Sequence, residues 1–285
     1  MIFECVPNIS QGRDTGLIDE CVRVVQAAGA TVLHRTSDAV HNRSVLTIAG
    51  GYEQLRDGAV ALAAVTVDRI DLRAHSGIHP RIGALDVLPF VPLEGAAMYD
   101  AVRLARETAK EIWERLRVPS FLYGEAALTP LRRNLATVRQ GEFEGLDARF
   151  ELPDWRPDYG DVAKHVSAGA VAIGARGLLI AFNVELETGD LDLAKRIARQ
   201  LRERDGGMRT LKALGLRLSE SVVQVSLNVT DYRATPLYRA VEIVRELAAA
   251  AGAGILRSEL IGCLPYAAVE ESARYYLGVS TESIL

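Results

Sequence analysis

In the run VVQVSLNVTD at 222–231, Val223, Val225, Leu227 and Val229 alternate with Gln224, Ser226, Asn228 and Thr230. This period of two predicts a strand with one face on a core. LKALGLRLS at 211–219 reads as its neighbour, and LLIAFNVEL at 178–186 as an earlier, β-rich strand. Between these, LDLAKRIARQLRERD at 191–205 has apolar positions at helical spacing, with Asp190 placed as N-cap. A second amphipathic helix is expected at 236–252, opened by Pro236 and closed by Gly252. The strand ILRSELIG at 255–262 and a short helix from Pro265 complete an order βαββαβ(α).

The first half repeats that order. IFECVPNIS at 2–10 predicts a strand and 15–29 a helix; TVLHRTSD at 31–38 and RSVLTIAG at 43–50 predict two strands. A helix at 52–68 and a short strand RIDL at 69–72 follow. The repetition points to duplication of a ferredoxin-like split-βαβ unit. An extension of the first copy adds strand LDVLPFVP at 85–92, a helix at 97–117 and strand VPSFLYG at 118–124. Pro89 and Pro92 predict that the first of these strands is an edge or interrupted one. The expected fold class is α+β, with two ferredoxin-like subdomains at 1–177 and 178–285 and a ligand cleft between their sheets. The Pro-, Asp- and Gly-rich stretch 152–171 reads as an ordered connection anchored by Trp155, Tyr159 and Val162.

Composition narrows the classes. The chain has 285 residues, 49% hydrophobic and 25% charged, which suits a soluble protein of two modest lobes. A formal net charge of −4 gives no overall attraction to nucleic acid, while leaving room for a local basic pocket. Cys5, Cys21 and Cys263 lie far apart with no CxxC spacing, against both a disulfide framework and a structural zinc site. Glu4 interrupts the apolar N-terminus, no signal peptide is legible, and the run at 247–256 is about half a membrane span. These features predict a cytoplasmic protein with neither membrane nor nucleic-acid partners.

Candidate chemistry concentrates in HSGIHPRIGALDVLPFVP at 75–92. A residue before proline is driven out of the α region, so His79 sits on a stiff loop flanked by Gly77 and Gly83. Such a loop suits a functional imidazole; a histidine capping a turn at a lobe boundary fits the local sequence as well. His75 and His79 are four apart, but Gly77 and Pro80 oppose the helix that would make them a zinc pair, and no metal is expected. No P-loop, GxGxxG or GxSxG elbow is present. A second polar cluster, SDAVHNRSVLT at 37–47, brings Asp38, His41, Asn42 and Arg43 into one connection, where turn chemistry alone also accounts for Asp38 and Asn42.

ECVPNISQG (4–12), NRSVLT (42–47), HPRIGALDVLPFVP (79–92), LYGEAA (122–127) and GAVAIGARGLLIAFNVEL (169–186) occur in order. Together they resemble the formiminotransferase domain of the glutamate formimidoyltransferase family, over nearly the whole chain. The resemblance implies two ferredoxin-like subdomains with a folate tunnel between their sheets. It also implies transfer of a formimino group from N-formimino-L-glutamate to N5 of tetrahydrofolate in histidine degradation. On that resemblance His79 is the catalytic acid–base and Asp38 the carboxylate that orients it. Chemistry adds Arg43 and Arg81 as expected forks for substrate carboxylates, and Asn42 is expected at the substrate beside them. The folate-binding segment corresponds to Lys164, His165, Val166, Ser167, Ala168, Gly169, Ala170, Val171, Ala172 and Ile173. Tetrahydrofolate is then a co-substrate, a homodimer is compatible, and a separate cyclodeaminase takes the product. The competing expectations are a 5-formyltetrahydrofolate cycloligase-like enzyme, an amidine hydrolase, or a folate-binding protein without catalysis.

Overall fold

Pro7 breaks the opening strand into two collinear pieces, β1 (Phe3–Cys5) and β2 (Asn8–Ile9). In this computed structural model, which describes residues 1–279, both pieces lie between β4 (Arg43–Gly50) and β5 (Leu85–Pro92). Outside β4 runs β3 (Thr31–Asp38), and beyond β5 come β7 (Val171–Ala175) and then β6 (Ser120–Gly124). All pairings up to β5 are antiparallel, while β5–β7 and β6–β7 are parallel.

The expectation for 85–92 is corrected here: β5 is a central strand, paired on both sides. Proline removes one ladder donor, and Val6 N–H still reaches the Pro89 carbonyl at 3.3 Å, beside the Pro7 break where no regular ladder runs. The defect in one strand thus faces the defect in its neighbour. RIDL is not a strand. Ile70 caps helix α2 (Tyr52–Arg69), and Leu72, 1% exposed, is anchored by its N–H on Ser167 O at 2.8 Å. The fourth strand of the ferredoxin-like repeat is therefore β5, with β6 and β7 as its extension.

Helices α1 (Thr15–Ala27), α2 and α3 (Met98–Leu116) supply the rest of this core. On α3, Ala101, Leu104, Ala105, Thr108, Ala109 and Ile112 are buried, a helical stripe whose small members permit close packing on the sheet. Phe3, Leu17, Leu62, Leu88, Phe90 and Phe121 lie in the same cluster. Two short helices, α4 (Leu135–Val138) and α5 (Leu146–Phe150), lead into the connection at 152–171. There Trp155 is buried and Tyr159 half-buried, but Val162 is 52% exposed and anchors nothing.

Contacts divide the chain after Gly177. The second unit orders its strands β11 (Ile255–Ile261), β8 (Ile180–Leu186), β10 (Val223–Val229), β9 (Leu211–Arg217), all antiparallel, as the split-βαβ pattern requires. Helix α6 (Leu191–Leu201) is capped by Asp190, whose carboxylate accepts from Leu193 N–H at 2.9 Å. It packs with α7 (Leu237–Ala250), and α8 (Tyr266–Leu277) follows. Val223, Val225, Leu227 and Val229 face this core as the alternation predicts. The architecture is α+β with two sheets, in agreement with the sequence. Among the described residues no helix is long and apolar enough to cross a membrane.

Candidate active site

The β3–β4 turn and the His75–Arg81 loop are pressed together because glycine stands at their contact. A Cβ on Gly77 would come within 2.4 Å of the His41 carbonyl oxygen, a separation that no ordinary side chain permits. Asn42, in the left-handed region at φ 48°, clamps three segments. Its carbonyl oxygen accepts from Gly12 N–H at 3.0 Å, its amide donates to Ser76 O at 3.0 Å, and its main-chain oxygen pairs with His75 Nε2 at 3.2 Å. Asn42 is thus 6% exposed and its side-chain groups are engaged, so it builds the site instead of offering a free substrate contact as expected.

His79 is half-buried on this platform. Its Nδ1 lies 2.8 Å from the Pro80 carbonyl oxygen. A carbonyl only accepts, so Nδ1 carries the hydrogen and Nε2 of the neutral ring carries a lone pair. Burial, reinforced by the charges of Arg43 and Arg139, pushes its pKa down to about 3. The ring is held neutral at neutral pH.

Asp38 is not the direct partner of His79 that was expected. One oxygen accepts from the N–H groups of Val40 at 2.7 Å and His41 at 2.8 Å; the other lies 2.9 Å from His41 Nδ1. Burial raises its pKa, but the bonds from His41 and Val40 outweigh that and leave it below the usual carboxylate value. The His41 ring in turn stands 6.2 Å from that of His79. Turn geometry delivered the carboxylate to the residue three positions on, which sequence spacing alone could not separate from a contact to His79.

Arg43 and Arg139 converge on Asp86. Asp86 Oδ2 accepts from Arg43 at 2.9 Å and from Arg139 at 2.5 Å, while Oδ1 takes the Ile82 N–H at 2.8 Å. Asp86 is fully buried; burial alone would raise its carboxyl, but the two guanidinium charges outweigh this and lower it. Arg43 also donates to Asn8 Oδ1 at 2.6 and 3.1 Å. Burial, then Arg139, pulls its own pKa down to about 10. Two cations share one carboxylate, leaving surplus positive charge beside His79. Asp86 and Asn8 lie inside the motifs quoted above; Arg139, in LRRNLATVRQ, gives no signal in the sequence.

Arg81 was expected as a fork for substrate and is instead occupied. Its guanidinium binds Glu144 at 2.8 and 2.9 Å, Glu142 at 3.1 Å and His75 Nδ1 at 3.2 Å. The first of these carboxylates is the main cause of its raised pKa. Its role here is to staple the His79 loop to 142–144.

The expected folate segment divides in two. Val171, Ala172 and Ile173 belong to β7 and are buried; Ala168, Gly169 and Ala170 are buried by backbone pairing with Ile82 and Ala84. A Cβ at Gly169, φ 72°, would meet Ile82 O at 2.1 Å. These six therefore have no free side-chain surface for a flat ring in this conformation. Lys164, His165, Val166 and Ser167 remain reachable. Lys164 pairs with Asp147 at 2.9 Å, and the His165 pKa is lowered by burial. Among the described residues no group of His, Cys, Asp and Glu is placed to hold a metal ion.

A neutral imidazole beside two guanidinium groups combines a proton-transfer group with positive charge. Residues 2–176 match the formiminotransferase domain, N-terminal subdomain, and residues 181–285 the formiminotransferase domain. The chain belongs to the formiminotransferase family, as its motifs indicated. It is 40% identical over 280 residues to a glutamate formimidoyltransferase of Streptococcus pyogenes serotype M1, covering 98% of this chain and 94% of that protein. It is 42% identical to the glutamate formimidoyltransferase of Thermoplasma acidophilum, covering 97% and 92%. It is 38% identical to the formimidoyltransferase-cyclodeaminase of Gallus gallus, where it covers 97% of this chain but 52% of that longer protein.

Proposed function

We propose that this chain is a folate-dependent transferase that moves the formimino group of N-formimino-L-glutamate to N5 of tetrahydrofolate and releases glutamate. The observation that carries the reading is the His79 imidazole, held as a neutral base with its Nε2 lone pair free. N5 attacks the formimino carbon and forms a tetrahedral adduct. His79 Nε2 accepts the N5 proton and returns it to the glutamate nitrogen as the C–N bond breaks. Atoms balance without a further reactant, and one group performs both transfers.

The surplus charge of Arg43 and Arg139 draws in the anionic donor, and the reachable part of the folate segment, from Lys164 to Ser167, receives the co-substrate. We place the reaction in the cytoplasm, within histidine breakdown, with a cyclodeaminase taking the product.

The test is a paired assay of wild type and His79→Ala with formiminoglutamate and tetrahydrofolate, with folate binding titrated in the same samples. The variant should bind folate and lose ~10²–10⁴ in rate, the usual worth of a positioned acid–base group. Wild type that binds folate without transferring the group, or a His79→Ala variant of undiminished rate, defeats the reading. A requirement for ATP would point instead to cycloligase chemistry.

A further inference from the structure

Arg139 is placed with unusual firmness for a residue that closes a single turn of helix. Arg149, 9% exposed, donates to Val138 O at 2.7 Å, to Gln140 O at 2.6 Å and to Thr137 O. It thereby grips the carbonyls on both sides of Arg139, and its guanidinium stacks on Trp155. The side chain so positioned has one nitrogen, Nη2, on Asp86, and its Nε is buried with no acceptor among the described residues. A buried donor without an acceptor is costly. Asp86 accepts three bonds, at Oδ2 from Arg43 and Arg139 and at Oδ1 from Ile82, and none of them comes from this Nε. The surplus charge calls for an anion at the reachable edge of the Arg139 side chain, 14% exposed, and the unfilled Nε becomes an added donor once the side chain turns toward it.

We propose that Arg139, backed by the charge of Arg43, binds the α-carboxylate of the amidine donor beside His79. The proposal rests on the function given above and names the part of the donor that is read. Two carboxylate sources exist, the donor and the glutamyl tail of the folate. The donor's α-carboxylate lies only a few bonds from the carbon under attack, whereas the folate tail is separated from N5 by the full length of the aminobenzoyl group. A guanidinium pair within electrostatic reach of the base matches the former. Binding the carboxylate also offsets the arginine charges, the second cause after burial of the lowered His79 pKa, and so favours protonation of the ring when the donor is in place.

The experiment compares N-formimino-L-glutamate with N-formimino-4-aminobutyrate, which lacks the α-carboxylate, on wild type, Arg139→Gln and Arg139→Lys. Arg139→Gln should lower kcat/KM for formiminoglutamate by about 100-fold, in the range for truncating a hydrogen-bonded charge pair. It should lower kcat/KM for the aminobutyrate donor much less, so that the wild-type preference for formiminoglutamate shrinks; Arg139→Lys should keep part of that preference. An equal fall with both donors means a structural role and overturns the proposal. So does a loss that disappears when tetrahydropteroate, without the glutamyl tail, replaces tetrahydrofolate. If Arg139→Gln does not fold, the same comparison is read on Arg139→Lys. If wild type transfers from neither donor, the assigned reaction falls. Calorimetry with glutamate and 4-aminobutyrate then decides the subsite: selective weakening of glutamate by the variant supports it, and unchanged binding removes it.

Discussion

Asp38 and His41 close on each other at 2.9 Å, carboxylate to Nδ1, and the same carboxylate holds the His41 backbone N–H. Asp38 therefore faces His79 across a second imidazole, whose ring lies 6.2 Å from that of His79. The arrangement fixes the His41 ring beside that of His79.

From this pair, Asp38→Asn should lower kcat by roughly 10–100-fold, by analogy with the loss of the outer hydrogen-bond partner of a metal-ligating imidazole. KM for both substrates should change little, since both Asp38 oxygens are already engaged by Val40 and His41. Steady-state kinetics on a variant with a wild-type melting curve checks this; an unchanged kcat would reduce the pair to a turn device.

The pH behaviour of His79 follows from its burial and the arginines that hold its pKa at about 3. In the unfolded chain the ring titrates near ~6.5. Between these values the folded state binds fewer protons, so stability rises with pH across the window and is lost as pH falls through it. His79→Asn should flatten that part of the stability curve in denaturant titrations. The acid limb of kcat/KM due to His79 should lie well below pH ~6.5, and Arg43→Gln should move it upward.

Arg81 gives a contrast between stapling and substrate binding. With its guanidinium on Glu144 and Glu142, Arg81→Ala should lower kcat and leave KM for the donor within a few-fold. Glu144→Gln should reproduce part of the loss, because it loosens the same loop from the other side. A large rise in KM with an indifferent Glu144→Gln would restore the fork role.

Gly77→Ala tests the close approach directly. The added methyl would stand 2.4 Å from His41 O and 3.1 Å from Asn42 Cβ, so the two loops must part. Overpacking of this kind costs about 1–3 kcal/mol, readable as a lower denaturant midpoint. Activity should fall more than stability does, because His79 rides on the displaced loop.

Much of this molecule was legible before its structure was seen. The alternation in β10, the Asp190 cap and the twice-repeated βαββαβ order are local patterns, because burial on one face of a strand or helix imprints its own period on the chain. The stiffness of the His79 turn was equally local, written in Pro80, with Gly77 and Gly83 keeping it out of the neighbouring elements. What tertiary structure decided was pairing. Pro89 looked like an edge residue until the break at Pro7 came to lie beside it, and RIDL looked like a strand until its one anchored N–H met Ser167. Asp38, Arg81 and Arg139 each have several candidate partners of opposite charge in the sequence. Which one each takes depends on the loops that the sheet carries to the same place, and charge attraction falls so steeply with distance and screening that an ångström-scale choice settles it.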